Sequence, residues 1–186
     1  MAAPRPSAEG NAIMKRTRLI AGLALAALAG LARLTAADPT SPQAPTGVRS
    51  SSPALVTLIA RATKQSPTFR GLIETIEASD GIVYVEVGQC GHYVRSCLVG
   101  VTTAGPFRML WIEVDTEKTD VDLIASIAHE LKHAVEILSD SKVRTSAGMF
   151  SFYTRQGKRA RGPTAFETDA AIDAGNAVRT EIRKAQ

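Results

Sequence analysis

The chain has 186 residues, of which 45% are hydrophobic and 22% are charged, a composition typical of one globular domain rather than a disordered chain. Its formal net charge is +4. Residues 1–37 hold five of the 22 basic and one of the 18 acidic residues, so 17 of each sign remain beyond them. Because that remainder carries no basic excess, we expect no nucleic-acid partner.

The first 37 residues have the pattern of a targeting signal. A basic segment, 14–18, precedes an apolar run from Leu19 to Leu31, and small residues follow up to Ala37. The run is shorter than the roughly 20 residues that a spanning helix needs. We predict a signal peptide cleaved after Ala37, with residues 1–13 an upstream extension from a misassigned start. The protein is then exported, either secreted or periplasmic, and meets the membrane only through this segment if it stays uncleaved.

The two cysteines, Cys90 and Cys97, follow that signal and flank a short loop. In an oxidising compartment a disulfide is their expected state. The alternative is a metal site of both cysteines and His92, but it lacks a fourth ligand.

Residues 38–52 are rich in proline and serine and predict a flexible linker. Residues 53–186 then form the folded domain. Pro53 after Ser52 and Pro67 after Ser66 mark the starts of two short helices, or of one broken helix.

Runs of β-branched and aromatic residues predict three strands, at 82–87, 96–102 and 108–115. Thr119 and Asp122 then resemble the capping box of a long helix, and a last helix extends from Gly162-Pro163 to about Lys184. The expected fold is therefore α+β, with N-terminal helices, a C-terminal helix and a small, mainly antiparallel or mixed sheet packed on the long helix.

The long helix carries the pattern H-E-x-x-H at His129, Glu130 and His133. Residues four apart lie on one face of a helix, so both imidazoles can reach one ion with the glutamate beside them. A core-facing apolar stripe lies roughly opposite the histidines, which therefore point into a cleft; it comprises Ile124, Ile127, Ala128, Leu131, Val135 and Leu138.

A catalytic Zn²⁺ needs a third protein ligand. One extended form of the motif places a glycine and a third histidine downstream, but here those positions are Glu136 and Ser139. The best remaining donor is Glu167 at the start of the last helix. The alternative is that Glu167 only completes a capping box with Thr164.

With these features the chain, over roughly 53–186, resembles the minimal members of the gluzincin type of zinc metallopeptidase, which combine H-E-x-x-H with a downstream glutamate. The resemblance implies a zincin-like fold, His129, His133 and Glu167 as Zn²⁺ ligands, Glu130 as general base, and a peptide or protein substrate. Gluzincins carry an Asp four or five residues after the ligand glutamate, where this chain has Ala171 and Ile172.

Other roles at this site have several candidates. Tyr153, His92 and Tyr93 are the available oxyanion donors, and Tyr153 is alternatively a core residue among apolar neighbours. Glu136, one turn beyond His133, is a candidate to orient a histidine ring. An extended substrate is expected to pair with strand 96–102 or 108–115.

Two non-enzymatic functions compete with hydrolysis. One is an exported zinc-binding module in which the metal is purely structural. The other is an envelope interaction domain that uses the basic run Arg155–Arg161. Glu130 favours the enzyme, because a structural metal site has no need of it.

Overall fold

The computed structural model describes residues 47–91, 94–117, 121–156 and 166–186. These residues form an α+β fold of five helices and one four-stranded mixed sheet. The elements in chain order are β1 (Val48–Arg49), α1 (Pro53–Gln65), α2 (Pro67–Glu77), β2 (Gly81–Val87), β3 (Ser96–Ala104), β4 (Phe107–Val114), α3 (Val121–Ser139), α4 (Ser146–Arg155) and α5 (Asp169–Lys184). The α+β prediction is confirmed, with one strand more than expected.

The strand order in the sheet is β1-β2-β4-β3. The strands β1, β2 and β4 are parallel, and β3 runs antiparallel to β4 as the second edge strand. The hairpin from β3 to β4 turns at Gly105, whose φ of 58° is one that residues with a side chain rarely adopt. Since β4 lies between two strands, the segment 108–115 has no free edge and cannot pair with a substrate.

The prediction of a linker that reaches residue 52 is wrong at its end. Val48 pairs with Val83 in the sheet and is 3% exposed. The backbone N–H of Ser51 also donates a 2.9 Å hydrogen bond to the Glu86 carboxylate. The domain therefore begins by residue 47, and residues 38–46 lie outside the described part.

Both N-terminal helices begin where the sequence predicts. The Ser52 side chain accepts a hydrogen bond from the N–H of Leu55, and the Ser66 side chain accepts one from that of Phe69, each with proline at the first helical position. Apolar residues at helical spacing are buried on both helices: Leu55, Leu58, Ile59 and Ala62 on α1, and Phe69, Leu72, Ile73 and Ile76 on α2.

The core lies between one face of the sheet and α3. Alternate residues of β4 are buried, as expected for a strand with one face toward a core. The predicted stripe of α3 packs against them, with Leu131 fully buried and Val135 only partly so. The capping-box prediction at Thr119 falls outside the described residues, and α3 is described from Val121.

The C-terminal end of α3 is fixed by the buried side chain of Arg108 on β4. Its guanidinium donates to the carbonyl oxygens of Ile137 and Leu138 at 3.0 and 2.7 Å, and pairs with the Asp80 carboxylate. Helix C-termini leave carbonyls without partners and carry partial negative charge, which a cation offsets. The motif helix is therefore anchored to the sheet at its far end.

The long helix α5 packs its small residues against α3. Ala171, Ala174 and Gly175 are buried there. A Cβ added at Gly175 would meet the carbonyl oxygen of Ala125 at 3.1 Å and the Cβ of His129 at 3.5 Å. This absence of a side chain allows the two helices to approach closely beside the first histidine of the motif.

Two predictions about the C-terminal third need correction. Residues 146–155 form the helix α4, where only an apolar patch was expected. The last helix begins at Asp169 after the cap Thr168, so Glu167 precedes α5 instead of lying in it. Within the described residues, no helix is long and apolar enough to cross a membrane.

Candidate metal centre

Three predicted ligands converge in the structure. The Nε2 atoms of His129 and His133 lie 3.1 Å apart, and Nε2 of His129 lies 3.4 Å from Oε1 of Glu167. One ligand atom from each of the three residues falls within 4.8 Å of the others. The structure therefore brings together the three side chains of the sequence prediction, as a group that could hold a metal ion.

The spacing of these donors suits a small tetrahedral cation. Zn²⁺ bonds to histidine nitrogen and carboxylate oxygen at about 2.0–2.2 Å, so tetrahedral geometry puts neighbouring donor atoms roughly 3.3–3.5 Å apart. The two separations at Nε2 of His129 are close to that range. Two imidazoles and one carboxylate are also a donor set that Zn²⁺ takes in catalytic sites.

The ring of His133 is held from its other side. Its Nδ1 lies 3.0 Å from Oε2 of Glu136, and a carboxylate can only accept, so Nδ1 carries the proton. The lone pair is then on Nε2, the nitrogen that faces His129. Glu136 thus lies where a residue that orients a ligand ring is expected.

Glu136 also connects this ring to the start of α5. Its Oε1 accepts a 2.7 Å hydrogen bond from the hydroxyl of Thr168, the cap of α5. That hydroxyl in turn accepts from the N–H of Ala171. Because Glu167 is the residue before this cap, the same network that holds His133 also fixes the backbone that carries Glu167.

The electrostatics favour neutral histidine at His129. Burial, together with the neighbouring His133, lowers the pKa of His129 to about 4, so the ring offers a lone pair at neutral pH. Burial raises the pKa of the Glu167 carboxyl. Burial also acts on Glu136, but hydrogen bonds from His133, Thr168 and Tyr153 outweigh it and lower the pKa of that carboxyl.

Glu130 faces the same cleft from α3 and is 7% exposed. Its Oε2 accepts a 2.8 Å hydrogen bond from the backbone N–H of Leu98, and its Oε1 lies 3.3 Å from the donating hydroxyl of Ser96. Burial raises the pKa of this carboxyl, against the opposing influence of His133 and of these two bonds. Glu130 therefore lies between the histidines and the edge strand β3.

The outer edge of β3 is partly occupied by side chains. Besides the Leu98 N–H, the backbone N–H of Val101 donates to the hydroxyl of Ser146 on α4 at 3.2 Å, and that hydroxyl lies 3.3 Å from the Val101 carbonyl. A substrate that paired along 96–102 would meet these groups. No pattern in the sequence predicts this occupation, because it depends on contacts between segments 32 and 45 residues apart.

The oxyanion candidates have different outcomes. Tyr153 is buried, and its hydroxyl donates to the carbonyl of His133 at 3.1 Å and lies 3.1 Å from the Nδ1 of that residue. Nδ1 is on the side of the His133 ring away from His129 and Glu167, so the tyrosine hydroxyl holds the ring on the side opposite the other two proposed ligands. The alternative of a core position describes it better. His92 and Tyr93 lie outside the described residues.

Cys90 and Cys97 form a disulfide, as predicted. Their sulfurs lie near a carboxylate oxygen of Glu113, but bonded sulfurs offer no thiolate to a metal. Cys97 is the residue between Ser96 and Leu98, the two donors to Glu130. The bridge therefore anchors the strand segment that holds this carboxylate.

The three proposed ligands His129, His133 and Glu167, called the metal group below, open into a cleft of about 340 Å³. It is lined by residues of α3, of α5 and of the segment that leads into β3. The lining residues that the sequence interpretation did not single out include Arg95, Ser96, Ala125, Asn176 and Arg179. No local pattern marks them, because they come from three separate parts of the chain: the start of β3, α3 and α5.

The chain matches no protein-family model, no curated protein and no solved structure. The geometry of the site is therefore the observation from which a function is inferred.

Proposed function

We propose that the protein is an exported, zinc-dependent metallopeptidase of the gluzincin type, with a zincin-like fold. The observation that carries this proposal is the spacing of His129, His133 and Glu167, whose donor atoms suit Zn²⁺, beside a buried carboxylate in the same cleft. The substrate is a peptide or protein. The disulfide is consistent with export, since such bonds persist in oxidising compartments.

His129, His133 and Glu167 would hold the ion, and Glu136 would keep the His133 lone pair turned toward it. A bound Zn²⁺ would supply Lewis acidity and lower the pKa of an attacking water to about 7. Two imidazoles and one carboxylate leave a fourth position open, which a structural site does not.

Glu130 acts as the general base in this proposal. It accepts a proton from the attacking water and later delivers it to the leaving amine nitrogen. Burial raises the pKa of its carboxyl, which favours holding the proton between these two steps. The bonds from Leu98 and Ser96 keep the carboxylate on the β3 side of the cleft.

The decisive variant is Glu130→Gln. A glutamine oxygen can still accept the Leu98 hydrogen bond, so the strand contact is kept while the proton acceptor is lost. Cleavage of a quenched peptide library should fall at least about a hundredfold with Zn²⁺ content unchanged. An undiminished rate in this variant contradicts the hydrolase assignment.

Metal content tests the ligand set independently. The purified chain should hold one Zn²⁺ by elemental analysis, and Glu167→Ala should lose it. Asp173→Ala is the matched control, because Asp173 is an exposed carboxylate on α5. A chain without zinc in the wild type, or one that keeps full affinity in Glu167→Ala, overturns the proposed site.

A second candidate function has one observation in its favour. Both oxygens of Glu130 are hydrogen-bonded to residues of β3, so this carboxylate also serves to complete the strand edge. An exported zinc-binding or envelope interaction module would need no more than that. This second function predicts that the wild type and Glu130→Gln both bind stoichiometric zinc and that neither cleaves any peptide.

A further inference from the structure

The cleft does not end at the metal group. It continues along α3 and α5, past Gly175, to Arg179. Gly175 lies against His129, and Arg179 follows it by four residues, which is one helical turn or about 6 Å along the axis. An extended peptide rises about 3.3 Å per residue. The guanidinium of Arg179 pairs with Asp122, which lies seven residues or about 10 Å before His129 on α3. A group bound there is thus roughly two or three residues away from a bond held at the metal group.

Hydrogen bonds hold the side chain of Arg179 in place but do not engage all of its N–H donors among the described residues. Its Nε donates to the Asp122 carboxylate at 2.7 Å, and its Nη1 donates to Oδ1 of Asn176 at 2.8 Å. Among the described residues these bonds take two of the five N–H donors of the guanidinium. The side chain is 34% exposed, so it is oriented by the helix pair and still reaches solvent in the cleft.

Among the described residues, the charge beside this end of the cleft is positive. One carboxylate, Asp122, is shared between Arg179 and Arg183, the latter at 3.7 Å. Along the cleft walls the two glutamates and two arginines balance, and a bound Zn²⁺ adds two positive charges. A cleft with this field attracts an anionic substrate.

We propose that Arg179 is a specificity residue that binds a carboxylate of the substrate, about two or three residues from the cleaved bond. The inference rests on the proposed peptidase function and adds a substrate class to it, acidic peptides. The carboxylate comes either from an Asp or Glu side chain or from the end of the peptide chain. A guanidinium suits this ligand because it offers paired N–H donors to both oxygens.

The test compares peptides that differ by one Glu or Gln, placed in turn on either side of the cleaved bond, each with a free or an amidated C-terminus. The zinc-loaded chain should cleave the acidic peptide with a kcat/KM roughly three- to tenfold higher. Arg179→Gln should bring that ratio to about one. If amidation of the C-terminus removes the preference in kcat/KM, the bound carboxylate is the end of the peptide chain. If replacement of Glu by Gln removes it, the bound carboxylate is the side chain.

Arg183→Gln is the matched control. It shares Asp122 but does not line the cleft, so the ratio should persist. Asp122→Asn should keep or increase the ratio, because it releases Arg179 from its partner. The proposal is overturned if Arg179→Gln slows both peptides equally, or if Arg183→Gln removes the preference as fully.

Binding separates this inference from the proposed function. Dissociation constants of the same peptides are measured with the zinc-loaded Glu130→Gln chain, by fluorescence anisotropy. Tighter binding of the acidic peptide that depends on Arg179 supports the carboxylate site even if the wild type cleaves nothing. Equal constants for both peptides refute it, whether or not cleavage occurs.

Discussion

The hydroxyl of Thr168 donates a 2.7 Å hydrogen bond to Oε1 of Glu136, and this contact joins the first turn of α5 to the motif helix. The second oxygen of Glu136 faces Nδ1 of His133. One carboxylate therefore links the ring of one proposed ligand to the backbone beside another, Glu167. Two ligands on separate elements are held in register by a single side chain.

Removal of this carboxylate should weaken metal binding. Glu136→Ala is expected to lower Zn²⁺ affinity about 10- to 100-fold, the usual effect of losing a group that orients a ligand histidine. Thr168→Val should weaken binding in the same direction and to a smaller extent, since it leaves the His133 contact intact. Competition with a chromophoric chelator measures both.

Thr168→Ser is the control for that pair, because serine keeps the hydroxyl that bonds Glu136 and caps α5. Its affinity should match the wild type. A Glu136→Ala chain with unchanged affinity would show that the ring needs no support from this side.

Two glycines should respond oppositely to alanine. Nothing lies within 4 Å of a Cβ added at Gly71 on α2, so Gly71→Ala should raise the free energy of unfolding by about 1 kcal/mol through helix propensity. Gly175→Ala should forfeit that gain, because its Cβ would lie 3.1 Å from the Ala125 carbonyl oxygen. Urea denaturation of the metal-free chains compares them.

Gly175→Ala should also reduce Zn²⁺ affinity, since it pushes α5 away from α3 beside His129. Gly71→Ala should leave that affinity unchanged. An equal gain in stability at both positions would contradict the close approach of the two helices.

Acid stability should depend on Asp80. Its hydrogen bonds with Arg108 lower the pKa of the Asp80 carboxyl below 3.8, so the unfolded chain takes up this proton first as the pH falls. The stabilisation is full above the unfolded pKa and is lost as the pH falls through the lower folded pKa. Asp80→Asn should be less stable than wild type at pH 7 and should lose less stability between pH 5 and 2.

Denaturant titrations at several pH values measure this difference. Asp173→Asn serves as the control, because Asp173 is exposed on α5, and its profile should follow the wild type. If Asp80→Asn and wild type lose stability in parallel, the ion pair with Arg108 does not contribute to acid sensitivity.

Loss of the disulfide should affect the site as well as stability. A Cys90→Ser, Cys97→Ser chain is expected to lose about 2–3 kcal/mol of unfolding free energy, since the bridge closes only a short loop. The rate of the proposed peptide cleavage should also fall, because Cys97 lies between the two donors that hold Glu130. Thermal unfolding checks the loss of stability, and peptide cleavage checks the fall in rate. Each is also measured on the wild type before and after reduction. An unchanged cleavage rate would show that β3 holds Glu130 without the bridge.

The parts of the fold that sequence could predict are those with local causes. Ser52 with Pro53, and Ser66 with Pro67, carry their helix-start chemistry within four residues, and both starts are confirmed. The motif helix also follows from spacing alone. The convergence of Glu167 with the histidines was predicted from the lack of any other donor, although its helical placement was wrong.

The missed features depend on distant contacts or weak local signals. β2 pairs in parallel with β4 although β3 lies between them in the sequence, and no pattern in either strand predicts this pairing. β1 is only two residues long, which is too short for a pattern to predict it. The helix α4 did have a signal: Thr145 caps it, and Met149, Phe152 and Tyr153 recur at helical spacing. Gly148 within its first turn obscured that pattern.

The two edges of the sheet have a consequence for self-association. Exposed strand edges are templates for pairing with a second copy and for aggregation. Here one edge strand, β1, has two residues, and the other, β3, has the N–H groups of Leu98 and Val101 bonded to Glu130 and Ser146. The carboxylate proposed to take part in cleavage therefore also occupies a backbone N–H that a strand from a second copy would need for pairing.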